Sequence, residues 1–153
     1  MRILIANRGE IARRIIRTAH RLGHETVAVY AEPDVDAPFV GEATMAVAIG
    51  PASLADSYLS GERILAAAAA SGATAVHPGY GFLAENATFA QSCIDQDLIW
   101  IGPRPQAIAS MGSKIEARAI AERAGVPTIP GWSESQDSGE LAQAAAQIGF
   151  PVL

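Results

Sequence analysis

A histidine, two aromatic rings and two glycines fall within six residues at His77-Pro78-Gly79-Tyr80-Gly81-Phe82. An imidazole can accept or donate a proton near neutral pH. Pro78 and Gly79 stop the strand before them, because proline cannot extend a ladder and glycine permits a positive φ. Gly81 repeats that permission, so the loop backbone can approach another molecule closely. Ala73-Thr74-Ala75-Val76 ahead of it reads as a short buried strand, and Glu85-Asn86 opens a helical pattern through Phe89, Ala90, Cys93 and Ile94. A strand, a glycine-bracketed loop and a helix start are the parts of a ligand site at the carboxyl edge of a parallel sheet. The same parts also make an ordinary turn with an inward-packing Tyr or Phe. His77 alone reads as a hydrogen-bonded structural histidine.

The second candidate is Lys114, the only lysine of the chain. Its amine is a compact charge on a flexible stem, and it follows Gly112-Ser113 at a helix start where free backbone amides also favour anions. A solvated surface lysine is the plain reading beside this one. Cys93, the single cysteine, sits in a helical pattern and is read as a core residue; it excludes an internal disulfide and suits a reducing cytosol. Asp34 and Asp36 are two apart, as in a calcium loop, but the later ligand positions are missing, so they are expected to be solvated loop acids.

The elements that must position these groups follow an α/β pattern. Arg2 to Ala6 is a continuous apolar run, as a central parallel strand buried on both faces requires. Asn7-Arg8-Gly9 turns the chain, and Glu10 to Leu22 carries Ile11, Ile15, Ala19 and Leu22 at helical spacing before Gly23. Glu25 to Tyr30 is the second strand, and the βαβ opening implies a doubly wound sheet. The turn has one glycine where a dinucleotide fingerprint needs three, so NAD binding is the weaker reading even with Glu32 placed to meet a ribose. Ala31 to Gly41 reads as a turn-rich loop, Thr44 to Ile49 as the third strand and Gly61 to Ser71, with five consecutive alanines, as a closely packing helix. Glu85 to Asp97 is the next helix and Leu98 to Ile101 the fifth strand. Helices are expected over Pro105 to Met111, Ser113 to Ala124 and Leu141 to Ile148. Val126 to Gly131 has a boundary composition, and Phe150 to Leu153 reads as a strand that has just begun. An apolar strand start needs partners, so the chain is expected to be a piece of a longer polypeptide.

Composition narrows the classes. The chain has 153 residues, 50% hydrophobic, with a net charge of −5, which suits one α/β domain or slightly more. No stretch approaches the ~18 apolar residues of a membrane span, and no signal peptide opens it. Six of eleven basic residues lie within the first 21 positions (Arg2, Arg8, Arg13, Arg14, Arg17, Arg21). No aromatic interleaving accompanies them, and the acidic remainder argues against nucleic acid.

The run His77 to Leu83 followed by Glu85-Asn86 resembles the signature of the biotin carboxylase family, the ATP-dependent half of acyl-CoA carboxylases. Ile5 to Ala12, Ser57-Tyr58-Leu59, and Ile101-Gly102-Pro103 through Met111-Gly112-Ser113-Lys114 agree with it at the right distances. The resemblance covers essentially the whole chain but only about the first third of such an enzyme. It implies a Rossmann-like parallel sheet with flanking helices (a pre-ATP-grasp domain, residues 1–112), then a linker helix and the start of an ATP-grasp domain (residues 113–153). It assigns Lys114 to ATP phosphates, Tyr80 and Gly81 to the biotin and bicarbonate side, and Arg14 and Arg17 to a homodimer interface; a basic solvated helix face is the plain reading of that pair. Asn7, Arg8 and Glu10 count as architecture near the site. No catalytic residue and no metal ligand is assigned within the chain. The implied cofactors are ATP, Mg2+ or Mn2+, and biotin on a carrier domain, bound mainly by parts of the family's enzymes beyond these residues. The implied partners are a biotin carboxyl carrier and a carboxyltransferase subunit, in the cytoplasm, with no nucleic acid and no membrane.

Two departures stand out. The family usually has a histidine where this chain has Phe39, and an Asp-Glu pair where it has Thr44-Met45, which leaves the packing near the third strand open. The motifs lie nearer acyl-CoA carboxylase α-chains of the propionyl or methylcrotonyl type. Another ATP-grasp ligase sharing this domain, or a non-catalytic interaction module using the arginine face and the Gly79-Tyr80-Gly81 loop, are the rival readings.

Overall fold

The computed structural model describes residues 1–132 and 135–152. It separates into two compact units, Met1–Ala109 and the residues from Ser110 onward. In the first unit, β1 (Arg2–Ile5), β2 (Glu25–Ala31), β3 (Met45–Gly50), β4 (Ala75–His77) and β5 (Ile99–Trp100) form one sheet in the order β3-β2-β1-β4-β5. Every neighbouring pair is parallel. The apolar run at the start therefore becomes the central strand, with Leu4 and Ile5 fully buried. β2 joins β1 on one side and β4 on the other, so the winding reverses between β1 and β4. The crevice at such a reversal is where open α/β sheets bind ligands.

Strand side chains alternate between faces. Leu4, Val27, Val29 and Val76 pack with Ile64, Ala67 and Ala68 of α3 (Gly61–Ser71) and Phe89 and Cys93 of α4 (Ala87–Asp95). Ile5 and Ala28 pack on the opposite face with Ala12 and Ile16 of α1 (Gly9–Arg21) and Phe39 of α2 (Pro38–Glu42). Ala67 and Ala68 of the alanine run pack into this core, and at the first residue of α3 a Cβ on Gly61 would lie 2.9 Å from the Phe89 ring. Phe89 also meets Trp100 edge to face, with centroids 5.7 Å apart.

The stretch expected as a loop, Ala31 to Gly41, instead contains a 3-10 turn at Glu32–Asp34 and the short helix α2. Pro38 opens α2 with φ preset for a helix, and Phe39, 1% exposed, gives it a reason to dock. Five residues are too few for a readable period, which is why the pattern hid it. The departures near β3 find ordinary places. Phe39 fills the core beneath α1, and Thr44 exchanges bonds with Thr26, the Thr26 N–H donating to Thr44 Oγ1 at 3.1 Å and the Thr44 N–H to Thr26 Oγ1 at 3.2 Å.

The helix expected from Glu85 begins at Ala87, after a 3-10 turn over Phe82–Glu85, and Asn86 caps it by accepting the Phe89 N–H at 2.9 Å. The second unit carries α6 (Lys114–Arg123) and α7 (Ser138–Ile148), and α5 (Pro105–Gly112) precedes them. No strand forms over residues 150–152, where one was expected, and Phe150 is 79% exposed. A strand needs a pairing edge, and none exists among the described residues of this unit. Leu153 lies outside the described residues, as do Ser133 and Glu134.

Cys93 is a core residue as expected: it is fully buried and burial pushes its thiol up to about 12. A thiol rather than a thiolate at neutral pH is a poor nucleophile. Iodoacetamide is therefore expected to leave Cys93 intact in the folded protein and to alkylate it in denaturant, followed by mass spectrometry. Equal rates in the two conditions would contradict the packing described.

Candidate functional site

β1 ends at Ile5 and is followed by Ala6 and a fully buried polar residue, Asn7. Its side-chain amide donates to two carbonyls of the loop after β4, Pro78 O at 2.8 Å and Tyr80 O at 3.0 Å. Its Oδ1 accepts the Arg8 N–H at 2.9 Å. One side chain thus ties together the two loops that flank the reversal of the sheet. Gly79 lies so close to this amide that a Cβ there would sit 2.7 Å from Nδ2 and 2.8 Å from Ile11 Cγ2, and its φ is +69°. No other residue fits both the space and the backbone.

His77 closes the base of the loop. Its Nδ1 accepts the Gly79 N–H at 3.0 Å, so the neutral ring carries its proton on Nε2. Burial holds its pKa below the ordinary imidazole value. The structural-histidine reading describes it. Tyr80, in contrast, points outward: it is 63% exposed, and its hydroxyl lies 3.4 Å from Glu10 Oε1. Gly81 follows with φ +68° and open space around it. The inward-packing ring of this loop is Phe82, not Tyr80.

Phe82 stacks on Tyr58, with centroids 5.6 Å apart and 14° between planes. Tyr58 is 1% exposed, and its hydroxyl accepts the Ala31 N–H at 3.1 Å while donating to Asp34 Oδ2 at 2.6 Å. Burial and then Asp34 raise its pKa above the tyrosine range, so it remains a donor. Arg8 reaches the same cluster, 3.0 Å from Asp34 Oδ1 and 5.4 Å from the Tyr58 centroid. Asp34 is therefore not the solvated loop acid that was expected: a phenol and a guanidinium hold it half-buried. The sequence carried one usable signal, because a buried tyrosine ordinarily needs a hydroxyl partner.

The arginines of α1 divide by what they meet. Arg13 bonds Glu42 of α2, and Arg17 lies 3.5 Å from the same carboxylate. The hydrogen bond from Arg13, with both positive charges, holds Glu42 below the usual carboxylate range. Arg14 instead borders an apolar groove of about 640 Å³ lined by Ile3, Ile11, Ile15, Leu22 and Tyr80. Tyr80 and Arg14 thus share one surface. Lys114 belongs to the second unit, exposed at the first position of α6, where Ser113 caps the helix by accepting the Glu116 N–H at 3.3 Å. A separate cleft of about 780 Å³ in that unit is lined by Ile129, Trp132, Leu141 and Ile148 among others, with no charged side chain. Among the described residues no group of three or more His, Cys, Asp or Glu converges to hold a metal ion. Nor, among those residues, is any helix long and apolar enough to cross a membrane.

A parallel sheet whose winding reverses between β1 and β4 defines an open, doubly wound α/β domain, and comparison with known proteins narrows the class. Residues 1–108 match the family described as "Biotin carboxylase, N-terminal domain", and the chain belongs to that family. It is 55% identical over 153 residues to biotin carboxylase 2 of Bacillus subtilis, covering 99% of this chain and 34% of that protein. It is 53% identical over 152 residues to the biotin-dependent acyl-coenzyme A carboxylase alpha3 subunit of Mycobacterium leprae, covering 99% and 25%. Among solved structures, the biotin carboxylase domain dimer of Hydrogenobacter thermophilus 2-oxoglutarate carboxylase, in complex with MgADP, ADP and bicarbonate, superposes with a TM-score of 0.89. It is 46% identical, covering 98% of this chain and 33% of that one. The chain therefore spans about a third or less of the length of these relatives.

The His77 geometry sets a pH dependence. The folded chain binds a proton at His77 less readily than the unfolded chain, so this group's contribution is complete above the unfolded pKa of ~6.5 and declines as pH falls through it. Titration of the His77 ring protons by NMR is expected to give a midpoint below ~6.5. A midpoint at or above that value would mean the ring is not desolvated as described.

Proposed function

We propose that this chain is the N-terminal part of an ATP-dependent biotin carboxylase, which carboxylates carrier-bound biotin with bicarbonate as the first half-reaction of an acyl-CoA carboxylase. What supports the reading most is the His77–Leu83 loop, tied by Asn7 and presenting Tyr80, in a chain whose residues 1–108 match the family's N-terminal domain. Residues 1–112 would form that domain, and 113–153 a linker helix and the start of an ATP-grasp domain. Tyr80 and Gly81 would line the biotin and bicarbonate side, where the outward ring and the open space at Gly81 leave room for a flat ligand. Lys114 would meet ATP phosphates as a point charge at a helix start.

The whole enzyme would use ATP with Mg2+ or Mn2+. The metal would be held mainly by parts of the family's enzymes beyond these residues. Partners would be a biotin carboxyl carrier, a carboxyltransferase subunit and a second copy, meeting through Arg14 and Arg17, in the cytoplasm. Arg14 is the freer of the two arginines, since Arg17 already faces Glu42.

Bicarbonate-dependent ATP hydrolysis with free biotin, measured on these 153 residues and on the natural-length polypeptide, tests the activity. It is expected only in the longer form. Silence in both favours another ATP-grasp ligase, and activity in the short form would put catalytic groups inside these residues. Lys114→Ala in the longer form should raise the KM for ATP about ten- to hundredfold, as loss of a charge-assisted bond would; an unchanged KM removes Lys114 from the nucleotide site. Arg14→Glu with Arg17→Glu is expected to shift the sedimenting species from dimer to monomer, and an unchanged profile would sink the interface assignment.

A further inference from the structure

The Gly81-Phe82 segment is held in an uncommon backbone, and the structure shows what holds it. Phe82 has φ +46°, a region that non-glycine residues occupy only when their surroundings compel it. Its ring lies parallel to Tyr58, which is itself fixed at three points: the Ala31 N–H and the Asp34 carboxylate at its hydroxyl, and the Arg8 guanidinium over its ring. Arg8 closes the circuit by pairing with Asp34 at 3.0 Å. Three segments far apart in the chain thus converge on one phenol at the carboxyl edge of the sheet. Tyr80 lies two residues before Phe82. Asn7 binds the Pro78 carbonyl before Tyr80 and the Tyr80 carbonyl after it, and the Phe82 stack holds the chain two residues further on. The Tyr80 side chain makes one hydrogen bond, a long one of 3.4 Å to Glu10, so the backbone around it does much to set where the ring is presented.

We propose that Tyr58 is the positioning residue for Tyr80: its buried ring, pinned by Asp34, Ala31 and Arg8, clamps Phe82 and so sets where the exposed Tyr80 ring meets its ligand. This rests on the reading of Tyr80 as the biotin-side residue. Tyr58 touches no ligand and acts only through the loop. The aromatic stack is the operative contact, and the hydroxyl bonds serve to orient the ring beneath it.

The test uses the natural-length polypeptide with Tyr58→Leu, which removes the ring, and Tyr58→Phe, which keeps the stack and loses the hydroxyl. Hydrogen exchange over residues 79–83 without substrate is expected to quicken about tenfold in Tyr58→Leu and to stay near wild type in Tyr58→Phe. The KM for free biotin should rise about tenfold in Tyr58→Leu and recover in Tyr58→Phe, while the KM for ATP stays within about twofold in both. A merely structural defect would not raise one KM alone. If Tyr58→Leu fails to fold, Phe82→Gly removes the stack while suiting the positive φ, and the same selective rise in biotin KM is expected. Unchanged exchange in a folded Tyr58→Leu overturns the proposal, as does faster exchange with unchanged biotin KM. A wild-type enzyme without biotin-dependent activity fails the functional reading instead, and the exchange comparison still decides whether Tyr58 clamps the loop.

Discussion

A buried primary amide at the end of a central strand is a demanding thing to build around. The Asn7 side chain brings two donors and one acceptor into a place without solvent, and leaving any of them unmet would cost about 1–3 kcal/mol. Both donors are met by carbonyls that lie more than seventy residues away, at Pro78 and Tyr80, and the acceptor by the next backbone amide. Much else at the sheet edge follows. Gly79 must lack a side chain because the amide occupies that space, His77 must face back to take the Gly79 N–H, and the Tyr80 carbonyl must turn inward while its ring turns out. Replacing Asn7 with aspartate would aim a carboxylate oxygen at two carbonyl oxygens, so the amide nitrogen itself is what the architecture selects.

The face of α1 shows how charge is apportioned by packing. A row of arginines on one helix suggests a uniform basic surface, but α2 inserts Glu42 beneath Arg13 and Arg17. That leaves Arg14 beside an apolar groove formed by Ile11, Ile15 and Leu22 of the same helix region. The groove and the Tyr80 loop are continuous, so a molecule or domain covering one would touch the other. α2, five residues long, therefore influences the surface chemistry of a helix more than twice its length.

The sheet and its carboxyl-edge loop were legible because their signals are local. A continuous apolar run marks a doubly covered strand, Pro78 and Gly79 mark its neighbour's end, and alanines mark a helix that packs closely. The roles of Asp34 and Tyr58 were not legible, because each depends on a partner from another segment. Asp34 looks like any loop acid until Tyr58 and Arg8 arrive from 24 and 26 residues away. α2 escaped because one buried phenylalanine, rather than a period, makes it a helix. Phe150 to Val152 read as a strand for the opposite reason: composition favours extension, but pairing decides it.

The pairing order of β1 carries a temporal meaning. Its first neighbour, β2, begins at Glu25, whereas β4 begins at Ala75. On a chain emerging from the ribosome N-terminus first, the parallel β1-α1-β2 unit can close after about thirty residues, but the other edge of β1 must wait for β4. Until then Leu4 and Ile5 have one open flank and Asn7 has no carbonyls to bind. Joining so distant a segment also carries a loop-closure cost that nearby pairings avoid. The crevice is thus the part of this sheet that is assembled late in biosynthesis, and an interruption of translation before residue 80 leaves an apolar strand edge available to other chains.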